Sequence, residues 1–397
     1  MLRALILNTL YAPDVRGGAE RSLQLTAEGL VGLGVEVTVG CSAARARPPW
    51  SHRGVDVVYV GGLNLFWPFD DAERPALARK AWHLLDMYNP IGARKVADLV
   101  RACRPDIVHT NNLRGFSVSA WRAVADAGVP ILHSIRDDYL RCARSLRWKA
   151  TGPCAATCGE CFAHAAVRRA ATRRVAGVVA ASAFLLDAHL GDGYFGAARL
   201  SRTVYNPAPE LRPRAERAEG PTRFGFIGRI EPEKGVDLLL DAVARRPDRD
   251  WRVVIAGTGR ASYLDGLRSR YADLFARGRA ILCGWMEVEE FFDAVDVVVV
   301  PTVYPEPMSR VLLEAFSAGV PVIASRRGGM TEILEHDVNG ILFEPADPAS
   351  LDQALDRAAG GMAVLRPMVE RGMRVAASLQ ADAVARRYRD AYEELLS

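Results

Sequence analysis

The sequence predicts an α/β fold of two doubly wound, Rossmann-like domains joined once near the middle of the chain. Three observations carry this. Short apolar runs alternate with helix-compatible segments along the whole length, as in parallel sheets built from right-handed β-α-β units. The segment from Asn206 to Arg223 holds Pro207, Pro209, Pro213 and Pro221 among charged residues and reads as an inter-domain linker. The chain has 397 residues, 50% of them apolar, which is enough for more than one buried core.

Taken in order, the strands expected in the first half are Ala4–Leu7, Glu36–Gly40, Val55–Val60, Asp106–Thr110, Val129–Ser134 and Gly177–Ala181. Those of the second half are Phe224–Ile227, Arg252–Ala256, Ala280–Cys283, Val295–Val300, Val320–Ala324 and Gly340–Phe343. The expected division is therefore a first domain over 1–205, a second over 206–380 and a terminal helix over 381–397. That helix carries Val384, Tyr388, Tyr392 and Leu395 on one stripe and needs a surface to cover, the first domain being one candidate. Two such domains would face one another across a crevice at the carboxyl ends of their strands, where open α/β sheets bind ligands.

Lys and Arg exceed Asp and Glu by only four, with no clustered basic stripe, so nucleic acid is not an expected partner. The apolar start Leu2–Leu7 is interrupted by Asn8, Pro13, Asp14 and Arg16 and reads as a strand rather than a signal peptide. No run approaches the roughly 18 apolar residues of a spanning helix. Cys41, Cys103 and Cys283 stand singly in apolar contexts and suit reduced, buried thiols, so the expected location is the cytoplasm, including the inner face of the membrane.

The chemistry-bearing residues of the second half lie just after predicted strands. Arg229 and Lys234, in Gly228-Arg-Ile-Glu-Pro-Glu-Lys-Gly235, are two cations between a strand end and a helix start, a sensible diphosphate site and otherwise two solvated surface charges. Glu306 and Glu314 flank Met308, Ser309 and Arg310 after the run ending at Val300, and Ser309 can cap the helix that holds Glu314. Carboxylates at such positions can each accept two hydroxyl hydrogen bonds from a sugar diol. Gly328-Gly329 lets backbone approach a ligand closely, with Thr331 and Glu332 beginning the next helix. Trp285 and Met286, after Gly284, either border a nucleotide base or belong to the core.

Together these segments resemble the nucleotide-sugar half of glycosyltransferase family 4, the large retaining family of group 1 glycosyl transferases with the two-Rossmann GT-B fold. The resemblance is carried by Gly228-Arg229 with Lys234-Gly235, Ala256-Gly257-Thr258-Gly259, Glu306 and Glu314 at the E-x7-E spacing, Ala318-Gly319-Val320-Pro321-Val322, and Gly328-Gly329 with Glu332. It implies that Arg229 and Lys234 hold the donor diphosphate, that Glu314 takes the ribose hydroxyls, and that Glu306 with nearby amides contacts the transferred sugar. Ser309 stands where many members have Gly.

In the first half, Gly17-Gly18 precedes a helix start, and the family has the same loop opposite the donor phosphates. Where the family commonly reads His-x-His-Asn and His-x-x-His-Asp, this chain keeps His109 and His133 but carries Asn111 and Arg136 in place of the second histidines. The two remaining histidines are either at the reacting centre or hydrogen-bonded strand residues. Arg136, always protonated, becomes a candidate contact for the acceptor's negative charge or the leaving phosphate, with Asp137 placed to orient it; otherwise it pairs with Asp137 or Asp138 to fix the loop. Cys142, Cys154, Cys158 and Cys161 can close a structural zinc site of four thiolates, or else are redox-labile or unliganded thiols. Leu63–Phe69 with Arg74, Arg79, Lys80 and Trp82 reads as peripheral membrane contact or as caps over the core.

The expected activity is transfer of a sugar from a nucleotide-sugar donor to an acceptor hydroxyl in polysaccharide, glycolipid or metabolite synthesis, with retention implied by the resemblance. No catalytic cofactor is expected, and no Asp-x-Asp lies between a strand end and its loop to hold a divalent cation. The alternatives are a GT-B epimerase and, given Asn111 and Arg136, a sugar-nucleotide-binding protein that has lost transfer.

Overall fold

A computed structural model of the chain describes residues 1–70, 74–149, 152–214 and 220–397. It divides into two compact units, Met1–Pro207 with Ala381–Ser397, and Ala208–Gln380. The division falls two residues after the expected one, and the terminal helix Ala381–Leu396 belongs to the first unit, where it packs against the helix Gly18–Gly32.

The first unit is built on β1 (Arg3–Asn8), β2 (Glu36–Ala43), β3 (Trp50–His52), β4 (Val55–Gly61), β5 (Ile107–Thr110), β6 (Ile131–Ile135), the short antiparallel pair β7 (Trp148–Lys149) and β8 (Gly152–Pro153), β9 (Gly177–Ala180) and β10 (Leu200–Thr203). Apart from β7 and β8 these form one sheet in the order β10-β9-β6-β5-β1-β2-β4-β3, parallel except where β3 runs against β4. Side chains alternate across a strand, and in β1 this sends Leu5 and Leu7 into one core and Ala4 and Ile6 into another on the opposite face. A strand buried on both faces reads as an unbroken apolar run, which is why β1 was visible in the sequence. The edge strands β3 and β10, Trp50-Ser-His and Leu200-Ser-Arg-Thr, lack such a run and were not anticipated.

The second unit holds β11 (Thr222–Ile227), β12 (Trp251–Ala256), β13 (Ala280–Gly284), β14 (Val297–Val300), β15 (Val322–Ser325) and β16 (Ile341–Phe343), all parallel, in the order β13-β12-β11-β14-β15-β16. This is the Rossmann order, and its direction reverses between β11 and β14, the place where open α/β sheets form a ligand crevice. Val295 and Val320, expected to start strands, lie just outside them. The Val320 N–H instead closes the turn after the helix Arg310–Ser317 by donating to the Ala315 carbonyl.

The aromatic-basic segment of the first unit largely satisfies itself. Trp82 is buried and its indole N–H donates to the Phe66 carbonyl at 2.9 Å, while the Trp67 indole reaches Ser42 Oγ at 3.2 Å and Arg74 stacks 5.0 Å over the Phe66 ring. Leu77 and Leu84 of the helix Ala76–Met87 remain exposed, beside Arg79 and Lys80. Among the described residues no helix is long and apolar enough to cross a membrane.

Val384, Tyr388, Tyr392 and Leu395 are all buried in the same core as Leu23, Ala27 and Leu30. Truncating Leu395 should leave a cavity there and lower the first unit's unfolding free energy by about 2–5 kcal/mol. Denaturant unfolding of Leu395→Ala tests this, and an unchanged midpoint would show that the terminal helix is not part of the core.

Candidate active site

In the second unit, loops from three neighbouring strands are stitched together through their backbone carbonyls. The Glu233 carbonyl, in the short 3-10 turn Pro232–Lys234 after β11, accepts from the Val303 N–H and the Thr302 hydroxyl after β14, both at 3.0 Å. Ser325, at the end of β15, donates to the Thr302 carbonyl at 2.7 Å. The Gly329 N–H donates to the Glu306 carbonyl at 2.9 Å, and a Cβ on Gly328 would stand 2.1 Å from that same oxygen, so only glycine lets the β15 loop seat Glu306.

This scaffold brings Lys234 Nζ to 2.9 Å from Glu306 Oε1, with the ammonium 5.3 Å from the Tyr304 ring centroid. Both side chains are largely covered. Arg229 is different: 58% of its side chain is exposed, and its nearest carboxylate is Glu233 at 3.8 Å. Glu314 is buried on the helix Arg310–Ser317, with Oε1 2.8 Å from Arg310 Nε. Met308 and Ser309 are buried too. Ser309 occupies the N-cap position, but its hydroxyl makes no cap bond, contrary to the expectation from sequence. Thr331 and Glu332 close the 3-10 turn Gly328–Glu332 instead of opening a helix.

Gly228 and Gly257 meet where β11 and β12 end. A Cβ on Gly257 would lie 1.8 Å from the Gly228 carbonyl oxygen, so the backbones touch there and leave no room for a side chain. Trp285 is 66% exposed just after β13 and Met286 half-buried, which places the tryptophan outside the core.

In the first unit a pocket at the ends of β5 and β6 is lined by Ala19, Asn111, His133, Arg136, Asp137 and Tyr139 among others. Arg136 does not pair with its acidic neighbours. Its Nε donates to Asn111 Oδ1 at 3.0 Å, its Nη1 to Asn206 Oδ1, and its Nη2 to the Tyr388 hydroxyl at 3.4 Å. Asp137 instead accepts the Tyr139 N–H at 2.7 Å and Asp138 pairs with Arg141 at 3.0 Å, so the expectation that Asp137 orients Arg136 is corrected. The local turn, which brings the Tyr139 N–H onto Asp137, prevails over sequence adjacency. Burial pushes the Asp137 carboxyl up to about 6, with the Asp138 charge adding to the effect.

His109, expected among the catalytic residues, is fully buried between the Tyr392 hydroxyl and Ser134 Oγ, each 2.7 Å from a ring nitrogen. It does not line the pocket, and burial holds it well below the ordinary imidazole value. His133 does line it, yet is bonded to Thr110 Oγ1 at 2.9 Å and lowered by burial to about 3. Neither imidazole is poised to take a proton near neutral pH. Gly17 precedes the helix Gly18–Gly32 in an extended conformation, and the buried Glu20 carboxylate folds back to accept the N–H groups of this helix start.

Of the three single cysteines, expected to be buried, Cys41 is buried and Cys103 half-buried, but Cys283, on the edge strand β13, is exposed. Of the four clustered cysteines, Cys142 and Cys161 have their sulfurs 3.8 Å apart, and Cys158 interacts with Cys161. Cys154 lies with its N–H on the Arg147 carbonyl, and among the described residues no group of three or more His, Cys, Asp or Glu side chains is placed to hold a metal ion. Among the described residues the geometry therefore does not close the four-thiolate site.

Residues 221–360 match the family described as glycosyl transferases group 1, and residues 17–207 match the glycosyl transferase 4-like domain. An uncharacterised 42.6 kDa protein of the cps region of Klebsiella pneumoniae is 30% identical over 333 residues, covering 84% of this chain and 87% of that protein. The D-inositol 3-phosphate glycosyltransferase of Thermobispora bispora is 29% identical over 373 residues, covering 86% of this chain and 82% of its own. Among solved structures, HepE of Anabaena in complex with UDP superposes with a TM-score of 0.73 at 19% identity, covering 99% of this chain and 100% of that one. Sucrose-phosphate synthase of Thermosynechococcus elongatus gives 0.77 at 18% identity, covering 100% and 99%. These likenesses show the two-domain GT-B fold.

A histidine held neutral at about 3 in the folded chain but near 6.5 when unfolded stabilises fully above pH 6.5, and that stabilisation is lost as pH falls. The stability advantage of the wild type over His133→Gln should therefore shrink by about 2 kcal/mol between pH 7 and pH 5. Urea unfolding at the two pH values measures it, and a constant difference would show that His133 is not buried neutral.

Proposed function

The chain belongs to the group 1 glycosyltransferases, and from that premise we propose that it moves a sugar from a nucleoside-diphosphate sugar to an acceptor hydroxyl with retention of anomeric configuration, without a metal ion. The observation that carries this reading is the Lys234–Glu306 pair at the point where the second sheet reverses direction: a largely covered cation beside a carboxylate, both held by backbone. The ammonium suits a diphosphate oxygen, and the carboxylate suits hydroxyls of the sugar attached to it. Exposed Arg229 supplies a second cation at the end of β11, and Glu314 offers a carboxylate for the ribose beside Arg310. Relatives and neighbours agree in kind, since HepE was solved with UDP-glucose and the Thermobispora protein is a glycosyltransferase.

In this reading the bond between the anomeric carbon and the diphosphate oxygen breaks, leaving its electron pair on the diphosphate. The acceptor oxygen bonds to the same face of the sugar, and its proton passes to the departing diphosphate oxygen. Negative charge grows on the phosphate as the bond breaks, so fixed cations stabilise the transition state more than the ground state. This places no demand on an imidazole base, consistent with the buried, neutral His109 and His133. Leu77 and Leu84 beside Arg79 and Lys80 give the same enzyme a surface suited to anionic membranes, where lipid-linked acceptors reside.

A thermal-shift screen of UDP-, GDP-, ADP- and TDP-sugars should find one that stabilises the full chain by about 2.7 kcal/mol at a hundredfold excess over Kd. With that donor, Arg229→Ala and Lys234→Ala should each lower transfer by about ten- to a thousandfold, and EDTA should leave it intact. Undiminished transfer in both variants would remove these residues from the donor site.

A further inference from the structure

The two positions where the first domain lacks the commoner histidines face one pocket and touch each other. Asn111 is 3% exposed, and its Oδ1 is committed to Arg136 Nε. Its other end is not committed: Nδ2 is buried with no hydrogen-bond partner among the described residues, and Asn111 lines the pocket. A buried N–H left unpaired is destabilising, a cost a ligand acceptor removes.

Arg136 is incomplete in a complementary way. Its three partners, Asn111, Asn206 and Tyr388, are all neutral, and no carboxylate lies within ion-pair distance of it among the described residues. They fix the guanidinium plane while occupying three of its five N–H groups, so two donors remain and the delocalised positive charge has no counter-ion within ion-pair distance. Two acids stand near. Glu20 feels the Arg136 charge but is turned to the backbone of its own helix start, and Asp137 lines the pocket with one oxygen on the Tyr139 N–H. His133, also in the lining, contributes no charge when neutral.

We propose that this pocket binds an oxyanion, a phosphate or carboxylate, through Arg136 and the Asn111 amide, with Asp137 accepting a hydroxyl of the same ligand. The ligand class is thus a hydroxylated anion. Given the transferase reading, on which this sorting rests, the oxyanion is either an anionic group of the acceptor or a phosphate of the donor.

Asn111→Asp is the discriminating variant, because it keeps the oxygen that holds Arg136 and replaces the unpartnered donor with a negative charge. Inorganic phosphate is titrated at constant ionic strength into the full chain carrying Arg229→Ala and Lys234→Ala, so that the second domain's cations do not contribute. Phosphate should raise the Tm of this protein above a chloride control, and adding Asn111→Asp should weaken phosphate binding at least tenfold without lowering the ligand-free Tm. Arg136→Met should abolish the shift, and it decides the matter if Asn111→Asp does not fold. No phosphate effect, or equal phosphate affinity with and without Asn111→Asp, would overturn the proposal. UDP affinity, measured with Arg229 and Lys234 intact, assigns the source: unchanged by Asn111→Asp, the anion belongs to the acceptor; weakened tenfold, it belongs to the donor. A chain that binds phosphate here but no nucleotide would refute the transferase reading and leave the anion site standing.

Discussion

Backbone meets backbone at the carboxyl ends of β11, β12, β14 and β15, and the candidate donor site depends on that contact. Gly257 lies against the Gly228 carbonyl and Gly328 against the Glu306 carbonyl so closely that a Cβ at either would overlap an oxygen. The loops touch through main chain, and their positions are set by hydrogen bonds to backbone carbonyls, two donated by backbone N–H groups and two by the short hydroxyls of Thr302 and Ser325. Glu233 is tied to Thr302 and Val303, Thr302 to Ser325, and Glu306 to Gly329. Lys234 and Glu306, 72 residues apart in sequence, are held face to face as a result. Such preorganisation matters for a reaction whose charge moves onto a phosphate, since cations already in place need not reorganise as the bond breaks.

The first domain uses polar groups in another manner. Its sheet buries both histidines in neutral form, His109 with both ring nitrogens hydrogen-bonded and His133 bonded through Nδ1 to Thr110, while Tyr392 and Tyr388 of the terminal helix complete the cluster around His109 and Ser134. The helix that ends the chain therefore covers an apolar face and at the same time satisfies buried polar atoms of the strands beneath it. Arg136 sits at the margin of this cluster, held by neutral partners from three separate segments, which leaves its charge directed to the pocket.

Much of this was legible in the sequence where one strand and its following loop hold all the information. The twelve strands expected from apolar runs are present with ends shifted by no more than three residues, because strands of parallel sheets are buried on both faces. Arg229, Lys234 and Glu306 stand in loops that follow strand ends and Glu314 in the helix after β14, and it is the resemblance of these spacings to a known family that marks them as candidates. What escaped depended on distant partners. Arg136 finds Asn206 and Tyr388, 70 and 252 residues away, rather than the aspartates beside it, and His109 is claimed by Tyr392, 283 residues away. The pairing of Asn111 with Arg136 was likewise hidden, since each stands at the end of its own strand and only the β5–β6 register brings them together. Asp137 was seen merely as a neighbour of Arg136, and no sequence signal marked it as a carboxyl lifted by burial in a pocket wall.

The proposed donor site, for the diphosphate and sugar of a nucleotide-sugar, lies at the end of the second sheet around Lys234 and Glu306. The most direct test is a crystal structure of the full chain with the donor identified by ligand screening. Phosphate oxygens should lie on Lys234 and Arg229, the transferred sugar on Glu306 and the ribose hydroxyls on Glu314. A nucleotide bound with its phosphates away from Lys234, or its sugar away from Glu306, would contradict it.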